Sequence, residues 1–212
     1  MKKIISFCLF GNDPKYLNGM FTNLELAKII YPDWICRIYC STKLDLNLIS
    51  SYKSYENCEI VLKEEYDNYP SMAWRFLAID DADVSIMLSR DADSRLSYRE
   101  KKCVDIFVDS DYLFHDIRDN VNHSDVMGGL WGMKKNELLN MNEELQKWNQ
   151  GNYYGSDQFF MRQIAQKFFE NSHLTHCSHF IKNFPVDNPS NYCVGEVFPG
   201  DNYHKPLNYI WY

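Results

Sequence analysis

The segment Val84-Ser85-Ile86-Met87-Leu88-Ser89-Arg90-Asp91-Ala92-Asp93 carries the strongest structural signal in the chain. Its apolar start predicts a buried strand over 84–88, and two carboxylates one residue apart follow that strand. Open α/β sheets bind ligands at the carboxyl ends of their strands. We therefore expect Asp91 and Asp93 at a ligand-binding edge.

The residues before this segment alternate between short apolar runs and runs with apolar residues at helical spacing. Strands are predicted at about 3–10, 34–40 and 58–62, with helices from Pro14 to before Pro32, at 43–54, and after a Ser71 cap. Such alternation is typical of βαβ units. It predicts an α/β, Rossmann-like fold with a mostly parallel central sheet and flanking helices.

The pattern becomes looser after the quoted segment. A capping box formed by Ser97 and Glu100 starts a helix. Strands are predicted at 112–117 and 126–133, helices at 134–148 and 156–170, and mostly loop over the last 40 residues. With 212 residues, the chain is expected to form one domain.

Composition limits the classes of partner. The net charge is −7, with 24% charged and 45% hydrophobic residues, which is typical of a folded globular protein. An acidic balance argues against a nucleic-acid partner, because neutralising phosphates requires surplus lysine and arginine. Aromatic residues reach 16%, and such side chains suit pockets that bind rings.

The cysteines and the amino-terminal residues indicate in which cellular compartment the protein is expected. Seven cysteines form no Cys-x-x-Cys pair, which predicts reduced thiols and no structural zinc. The apolar run after Lys2 and Lys3 is interrupted by Gly11-Asn12-Asp13-Pro14, so we interpret it as a strand and not a signal peptide. No apolar run approaches the roughly 20 residues of a membrane helix. We expect a cytoplasmic protein with no membrane span.

Asp91 and Asp93 suggest a site for a hard divalent cation. Mg²⁺ or Mn²⁺ prefers carboxylate oxygens and keeps positions open for phosphate oxygens. The alternative is an ordinary solvated turn. Nearby arginines could hold anionic ligand groups or merely neutralise the aspartates: Arg90, Arg95 and Arg99. A second acidic cluster, Asp80-Asp81-Ala82-Asp83, precedes the strand, so we expect it at the opposite edge without a metal.

Two later segments add candidates. Gly128 and Gly129 interrupt an apolar run, which marks either a bulge or a close approach of ligand. Tyr153-Tyr154-Gly155-Ser156-Asp157-Gln158 suggests a helix capped by Ser156, with Asp157 in the first turn, where the helix dipole favours ionisation. Such a carboxylate suits a general base or a sugar anchor, or it simply helps to start the helix.

Together these residues resemble nucleotide-sugar-dependent glycosyltransferases of the GT-A fold with an Asp-x-Asp motif. The matching features are the order of strands and helices, Arg75, Asp91-Ala92-Asp93, Gly128-Gly129, Asp157-Gln158 and the late His204-Lys205-Pro206. The chain is also similar to the amino-terminal glycosyltransferase domain encoded by chlorella viruses, which implies a viral protein in the host cytoplasm.

The resemblance assigns roles to individual residues. Phe10 and Gly11 would contact the base, Gly128 and Gly129 the donor sugar, and Asp157 the reacting sugars. Arg75, Asp91, Ala92, Gln158 and Lys205 would complete the donor site, and Asp91, Asp93 and His204 would hold Mn²⁺ or Mg²⁺. Related families show His-x-x-Gly-x-x-Lys-Pro-Trp, whereas here Gly200 precedes His204, so His179 is a second candidate ligand.

The resemblance also implies the activity. The chain would transfer a sugar from a nucleotide-sugar, a UDP-sugar, to a glycan or glycoprotein acceptor, with residues 1–95 binding the nucleotide and 96–212 the donor sugar and acceptor. An Asp157 base favours inversion at the anomeric carbon.

Two other functions remain open at this point. One is an aspartate-dependent phosphohydrolase or phosphotransferase. Haloacid-dehalogenase-type enzymes place their Asp-x-Asp after the first strand, followed by Thr or Val. Here the motif follows the fourth predicted strand and precedes Ser94-Arg95. The other is a non-catalytic carbohydrate-binding module.

Overall fold

The computed structural model describes residues 1–65, 69–149, 151–188 and 192–198. Within them the strands are β1 (Lys2–Leu9), β2 (Ile35–Ser41), β3 (Cys58–Lys63), β4 (Val84–Arg90), β5 (Phe114–Arg118), β6 (Leu130–Lys134) and β7 (His173–Cys177). The α-helices are α1 (Pro14–Ile30), α2 (Leu46–Lys53), α3 (Tyr98–Asp109), α4 (Met141–Gln146) and α5 (Ser156–Gln166), and a 3₁₀ helix spans Ser71–Asp80.

The described strands form one sheet in the order β3-β2-β1-β4-β6-β5-β7. The pairs β1–β2, β2–β3, β1–β4 and β5–β7 are parallel, whereas β6 runs antiparallel to both β4 and β5. The sheet is therefore mixed but mostly parallel, which confirms the predicted fold class. Because β6 begins where β4 ends, Leu130 pairs with Arg90, and the start of β6 lies at the edge predicted to bind ligand.

Two apolar cores cover the two faces of the sheet. Alternate residues of β4 separate onto them, with Met87 in one core and Leu88 in the other. The first core includes Trp74 from the 3₁₀ helix and Phe160 from α5. The second includes Phe107 from α3. Both faces are therefore buried, as expected for a sheet made largely of parallel strands.

Local signals account for most helix starts. The Asp13 carboxylate accepts from the Lys15 N–H at the start of α1, next to Pro14 at the first helical position. Ser97 caps α3 by accepting from the Glu100 N–H, as predicted, but the Glu100 carboxylate of the predicted capping box pairs with Arg90. Two predicted caps are wrong. Ser71 makes no capping bond and lies inside the 3₁₀ helix, and Gly155, not Ser156, occupies the cap position of α5.

Three further expectations are corrected. The predicted strand 126–133 begins only at Leu130, because the residues before it form a turn closed by the Leu130 N–H and the Met127 carbonyl. The helix predicted over 134–148 is limited to α4. The predicted loop at the carboxyl end contains β7, whose inward-facing residues include polar groups, so it lacks the apolar alternation of a strand.

Candidate functional site

The Asp-x-Asp motif lies at the carboxyl end of β4, between β1 and β6. A tight turn places both carboxylates there, because the Asp91 carbonyl accepts from the Ser94 N–H at 3.3 Å and the Ser94 hydroxyl at 2.9 Å. The acidic cluster before β4 lies at the opposite edge, as expected. There Asp81 pairs with Arg37 and Asp83 with Lys2.

Asn23 on α1 holds the residues after the motif. Its amide donates to the carbonyls of Ala92 at 3.3 Å and Ser94 at 2.9 Å, and its Oδ1 accepts from the Leu96 N–H at 3.1 Å. Sequence reasoning missed this residue. The available signal was a polar side chain within the apolar stripe of α1, since Asn23 is buried between Met20 and Ala27.

Arg75 connects the motif to α5. Its Nη1 lies 2.5 Å from Asp91 Oδ1, and its Nη2 lies 3.0 Å from Asp157 Oδ2. Only 6% of the Arg75 side chain and 10% of the Asp157 side chain are exposed, whereas 43% of the Asp91 side chain is exposed. A single buried guanidinium thus joins two of the predicted site carboxylates that lie far apart in sequence.

Gly128 and Gly129 lie against the same two carboxylates. A Cβ on Gly128 would lie 1.9 Å from Asp157 Oδ2, and a Cβ on Gly129 would lie 1.9 Å from Asp91 Oδ2. The Gly128 carbonyl is fixed by the Ser89 hydroxyl at 2.7 Å. Glycine is therefore required here because the carboxylates approach the main chain. Contact of this pair with a donor sugar stays a prediction.

Asp157 has an unusual environment for a surface helix start. Burial raises its pKa, the Arg75 guanidinium partly opposes this, and the Asp91 charge adds to the increase. Backbone N–H groups of the first turn of α5 lower the pKa, as predicted from the helix dipole, but burial outweighs them. The carboxylate is therefore more basic than an ordinary aspartate.

Asp93 is also buried, with 7% of its side chain exposed, and Lys15 Nζ lies 3.5 Å from its Oδ2. Burial raises its pKa, and the neighbouring Asp91 charge raises it further. A divalent cation would relieve this repulsion. Across the described ranges no three His, Cys, Asp or Glu side chains gather as a ligand set. The chemistry of the two carboxylates fits Mg²⁺, which prefers oxygen ligands and takes its further ligands from water or from a bound phosphate.

For Arg90 and Arg99, neither alternative considered for the arginines near the motif is correct. Arg90 is buried against Glu100, with Nε–Oε1 at 2.8 Å. Arg99 makes a two-pronged pair with Asp119, at 2.8 and 2.7 Å. These guanidiniums neutralise buried carboxylates outside the motif and do not neutralise Asp91 or Asp93. Arg95 Nη1 donates to the carbonyls of Ala92 at 3.3 Å and Ser94 at 2.7 Å.

The remaining predicted residues fall into three groups. Ala92 is buried with its carbonyl bound by Asn23 and Arg95, and Gln158 is half-buried in the first turn of α5. His204 and Lys205 lie outside the described residues. His179 is exposed beyond β7.

A cleft of about 610 Å³ opens beside the site. It is bordered by residues that follow β1, β2 and β3, including Phe10, Gly11, Lys43 and Glu65, and by Asn152. Phe10 is fixed by an edge contact with Trp74, with ring centroids 6.2 Å apart. Gly11 has φ +68°, a conformation that favours glycine.

No family model and no curated protein matches the chain. Solved structures do. Residues 1–349 of S. aureus TarS, also solved with UDP and with UDP-GlcNAc, are similar with a TM-score of 0.57 at 16% identity. The match covers 83% of this chain but only 58% of the TarS chain. The chain thus spans little more than half of that structure.

Two other solved structures are similar to this chain at comparable TM-scores. The mannosyltransferase PcManGT from Pyrobaculum calidifontis, in complex with GDP-Man and Mn²⁺, has a TM-score of 0.56 at 13% identity, with coverage of 96% of this chain and 59% of its own. A glycosyltransferase involved in glycosylation of the major capsid of PBCV-1 has a TM-score of 0.52 at 12% identity, with coverage of 84% and 83%.

Such low identities concern architecture alone. A cytidylyltransferase from Leptospira borgpetersenii is similar too, with a TM-score of 0.53 at 11% identity over 84% of this chain and 76% of its own. Architecture of this kind therefore serves more than one reaction of nucleotides. The sheet order, the flanking helices and these similarities together show that the chain is a single α/β domain with the fold of the GT-A glycosyltransferases.

Proposed function

We propose that the protein is a metal-dependent glycosyltransferase that uses a nucleotide-sugar, a UDP-sugar, as donor. The supporting observation is the Arg75 bridge between Asp91 and Asp157 at the carboxyl edge of the sheet. The bridge joins the motif expected to hold the metal and diphosphate to the carboxylate expected to meet the acceptor. In this proposal residues 1–95 bind the nucleotide, and 96–212 bind the donor sugar and the acceptor.

The base would occupy the 610 Å³ cleft, with Phe10 and Gly11 at its border. The diphosphate would then extend from this cleft toward Asp91. Gly128 and Gly129 would place backbone next to the donor sugar, and Gln158 and Ala92 would lie at the margin of the same site. Lys205 would add a positive charge from the segment outside the described residues.

Asp91 and Asp93 would hold Mn²⁺ or Mg²⁺ together with oxygens of the donor diphosphate. A divalent cation at this position supplies positive charge that stabilises a departing diphosphate. The buried Asp93 carboxylate supports this assignment, because burial and then the Asp91 charge raise its pKa, and the Lys15 ammonium only partly opposes them. His204 would be a third protein ligand of the metal.

Asp157 would act as the general base. Its carboxylate would accept the proton of the acceptor hydroxyl as the acceptor oxygen bonds to the anomeric carbon. The bond from that carbon to the diphosphate oxygen breaks, and the electron pair leaves on the diphosphate. Attack from the face opposite the diphosphate inverts the anomeric carbon. A raised pKa suits this role, because a more basic carboxylate takes the proton more readily.

Calorimetry of UDP binding tests the metal and donor parts of the proposal. Mn²⁺ should tighten UDP binding by about tenfold or more, and Asp93→Asn should abolish that gain. Asp111→Asn is the matched control, since Asp111 is an exposed carboxylate before β5, at the opposite edge. Equal UDP affinity in EDTA and in Mn²⁺ would contradict the proposal.

Two outcomes would favour the alternatives. Turnover of a simple phosphomonoester, lost in Asp91→Asn, would indicate a phosphohydrolase. Glycan binding indifferent to nucleotide and EDTA, without release of nucleoside diphosphate, would indicate a carbohydrate-binding module.

A further inference from the structure

The loop before α5 presents two aromatic rings to solvent. Tyr154 is 94% exposed and Tyr153 is 51% exposed, although tyrosine usually buries its ring. The next aromatic residue, Phe159, is 48% exposed, and its ring centroid lies 6.4 Å from that of Tyr153. These rings form an open apolar surface on the described part of the molecule. We refer to Tyr153, Tyr154 and Phe159 as the aromatic platform.

The backbone beneath the platform is anchored. Gly151 and Gly155 have φ of +75° and +84°, so a glycine stands at each end of the loop where the chain turns. The Gly151 carbonyl accepts from Trp148 Nε1 at 2.9 Å, and the Ser156 N–H donates to the Tyr153 carbonyl at 3.1 Å. The tyrosines are thus held outward by a defined turn.

The position of the platform links it to the candidate site. Asn152, the residue before Tyr153, borders the 610 Å³ cleft. Asp157, three residues after Tyr154, is bound by Arg75. The platform therefore belongs to the short segment that runs from the donor cleft to the proposed base, which is where an acceptor must lie.

The chemistry of the segment selects the class of acceptor. Residues 151–155 read Gly-Asn-Tyr-Tyr-Gly and carry no charge. Flat aromatic faces with phenol tips suit the C–H face and hydroxyl groups of a pyranose. The Arg162 guanidinium lies 5.6 Å from the centroid of the Phe159 ring, but it is paired with Asp125. Because this cation is already balanced, a neutral saccharide is favoured over an acidic one.

We propose that Tyr153 and Tyr154 are the acceptor subsite and that they bind a neutral pyranose of a glycan by stacking. This inference rests on the proposed function and deepens it by naming the acceptor class. The platform positions the acceptor through its ring, so the hydroxyl to be glycosylated faces Asp157. A peptide or lipid acceptor would not need stacking against both rings.

Saturation-transfer NMR with four neutral disaccharides tests the proposal: lactose, cellobiose, N,N′-diacetylchitobiose and α-1,6-mannobiose. At least one should bind the wild-type protein, with transfer strongest at the C–H protons of one ring face. Tyr154→Ala should raise the dissociation constant of that disaccharide by about fivefold or more. Tyr154→Phe should retain most of the affinity, because the aromatic ring is kept. Tyr112→Ala is the matched control, as Tyr112 is 40% exposed and precedes β5 at the opposite edge.

Misfolding should not obscure the result, since a ring that is 94% exposed contributes little packing. Melting temperatures of all four proteins check this. The proposal is overturned if no disaccharide in the panel binds, or if Tyr154→Ala binds as tightly as the wild type.

Release of nucleoside diphosphate by the wild-type protein separates this result from the proposed function. Release of nucleoside diphosphate without any disaccharide binding would support the transferase activity and overturn the proposed acceptor subsite. Disaccharide binding that depends on the Tyr154 ring, without release of nucleoside diphosphate, would support the saccharide-binding site and overturn the transferase activity.

Discussion

Arg75 is the residue on which the candidate site depends. It is buried, and its two terminal nitrogens each meet a carboxylate, one from the β4 turn and one from α5. Two carboxylates close to each other repel, and burial increases that repulsion. The guanidinium therefore holds the site together before any ligand binds, and its planar fork suits two partners better than an ammonium does.

A double-mutant cycle measures this coupling. Arg75→Lys should lower the unfolding free energy, and its combination with Asp157→Asn should show a coupling energy above about 1 kcal/mol in urea unfolding. The matched control is the cycle of Arg162→Lys with Asp125→Asn, an ion pair whose side chains are 51% and 30% exposed. Exposed pairs contribute less than about 1 kcal/mol. Additive effects at Arg75 and Asp157 would show that the bridge does not stabilise the site.

The residue scale also shows what a pattern of single residues can predict. Asp91, Asp157, Gly128 and Gly129 meet around Arg75, as their common assignment to one site requires. The approach of the two carboxylates to the glycines was not predicted, because a sequence does not reveal which side chain will fill the space that a missing Cβ leaves. Asn23 was missed for the same reason, since its partners are main-chain carbonyls of a distant loop.

At the scale of elements, the antiparallel β6 and the edge strand β7 lie in the half that the sequence described poorly. Polar residues in β5 and β7 pair with one another in the interior. Asp116 Oδ1 accepts from the Thr175 hydroxyl at 2.7 Å and lies 2.5 Å from His173 Nε2. His115 Nε2 and His176 Nδ1 are 2.8 Å apart. Strand prediction relies on apolar alternation, so β7, in which His173, Thr175 and His176 make these polar contacts, was predicted as loop.

The histidine pair predicts a pH dependence of stability. Burial lowers the pKa of both His115 and His176, and for His115 the His176 and Arg90 charges lower it further while Asp116 partly opposes them. The unfolded histidines, with ordinary pKa values near 6.5, bind protons that the folded ones do not, so stability is present above about pH 6.5 and is lost as the pH falls below it.

Urea unfolding should measure a decrease of at least about 1 kcal/mol between pH 7 and pH 5. His123 adds to the decrease, because burial lowers its pKa as well. His115→Phe should reduce the slope, since that ring stacks on Phe107 and carries one of the titrating groups. Because the raised pKa values of Asp93 and Asp157 act in the opposite direction, the decisive comparison is between the wild type and His115→Phe. Equal slopes for these two proteins would contradict the buried neutral pair.

At the scale of the whole molecule, the parallel half of the fold was predictable in detail, whereas in the second half only some elements were, such as β5 and α5. Strands β1 to β4 and helices α1 and α3 follow local signals: apolar runs, Asp13 and Pro14 at one cap, and Ser97 at another. After Asp109 the chain relies on contacts between distant residues. Arg99 and Asp119 are one example, since Asp119 also accepts from the Val194 N–H at 3.0 Å and so fastens the segment 192–198.

Net charge at this scale describes the surface and not the site. The chain carries −7, yet the interior of the candidate site balances its carboxylates with Arg75 and Lys15. At Asp93 burial and the Asp91 charge raise the pKa, and Lys15 opposes this only in part. Within the described ranges no helix is long and apolar enough to cross a membrane.

In the proposed reaction, Asp91 and Asp93 hold the metal ion that the cleavage of a nucleotide-sugar requires. Hydrolysis of the donor tests it without knowledge of the acceptor. The protein is incubated with a panel of UDP-, GDP- and ADP-sugars in Mn²⁺ or in EDTA, and the released nucleoside diphosphate is measured. The same assay is run with Asp93→Asn and with the Asp111→Asn control.

We expect UDP release from at least one UDP-sugar, with a decrease of about a hundredfold or more in EDTA and in Asp93→Asn, and no decrease in Asp111→Asn. No release from any sugar in the panel, or release equal in EDTA and in Asp93→Asn, would contradict it.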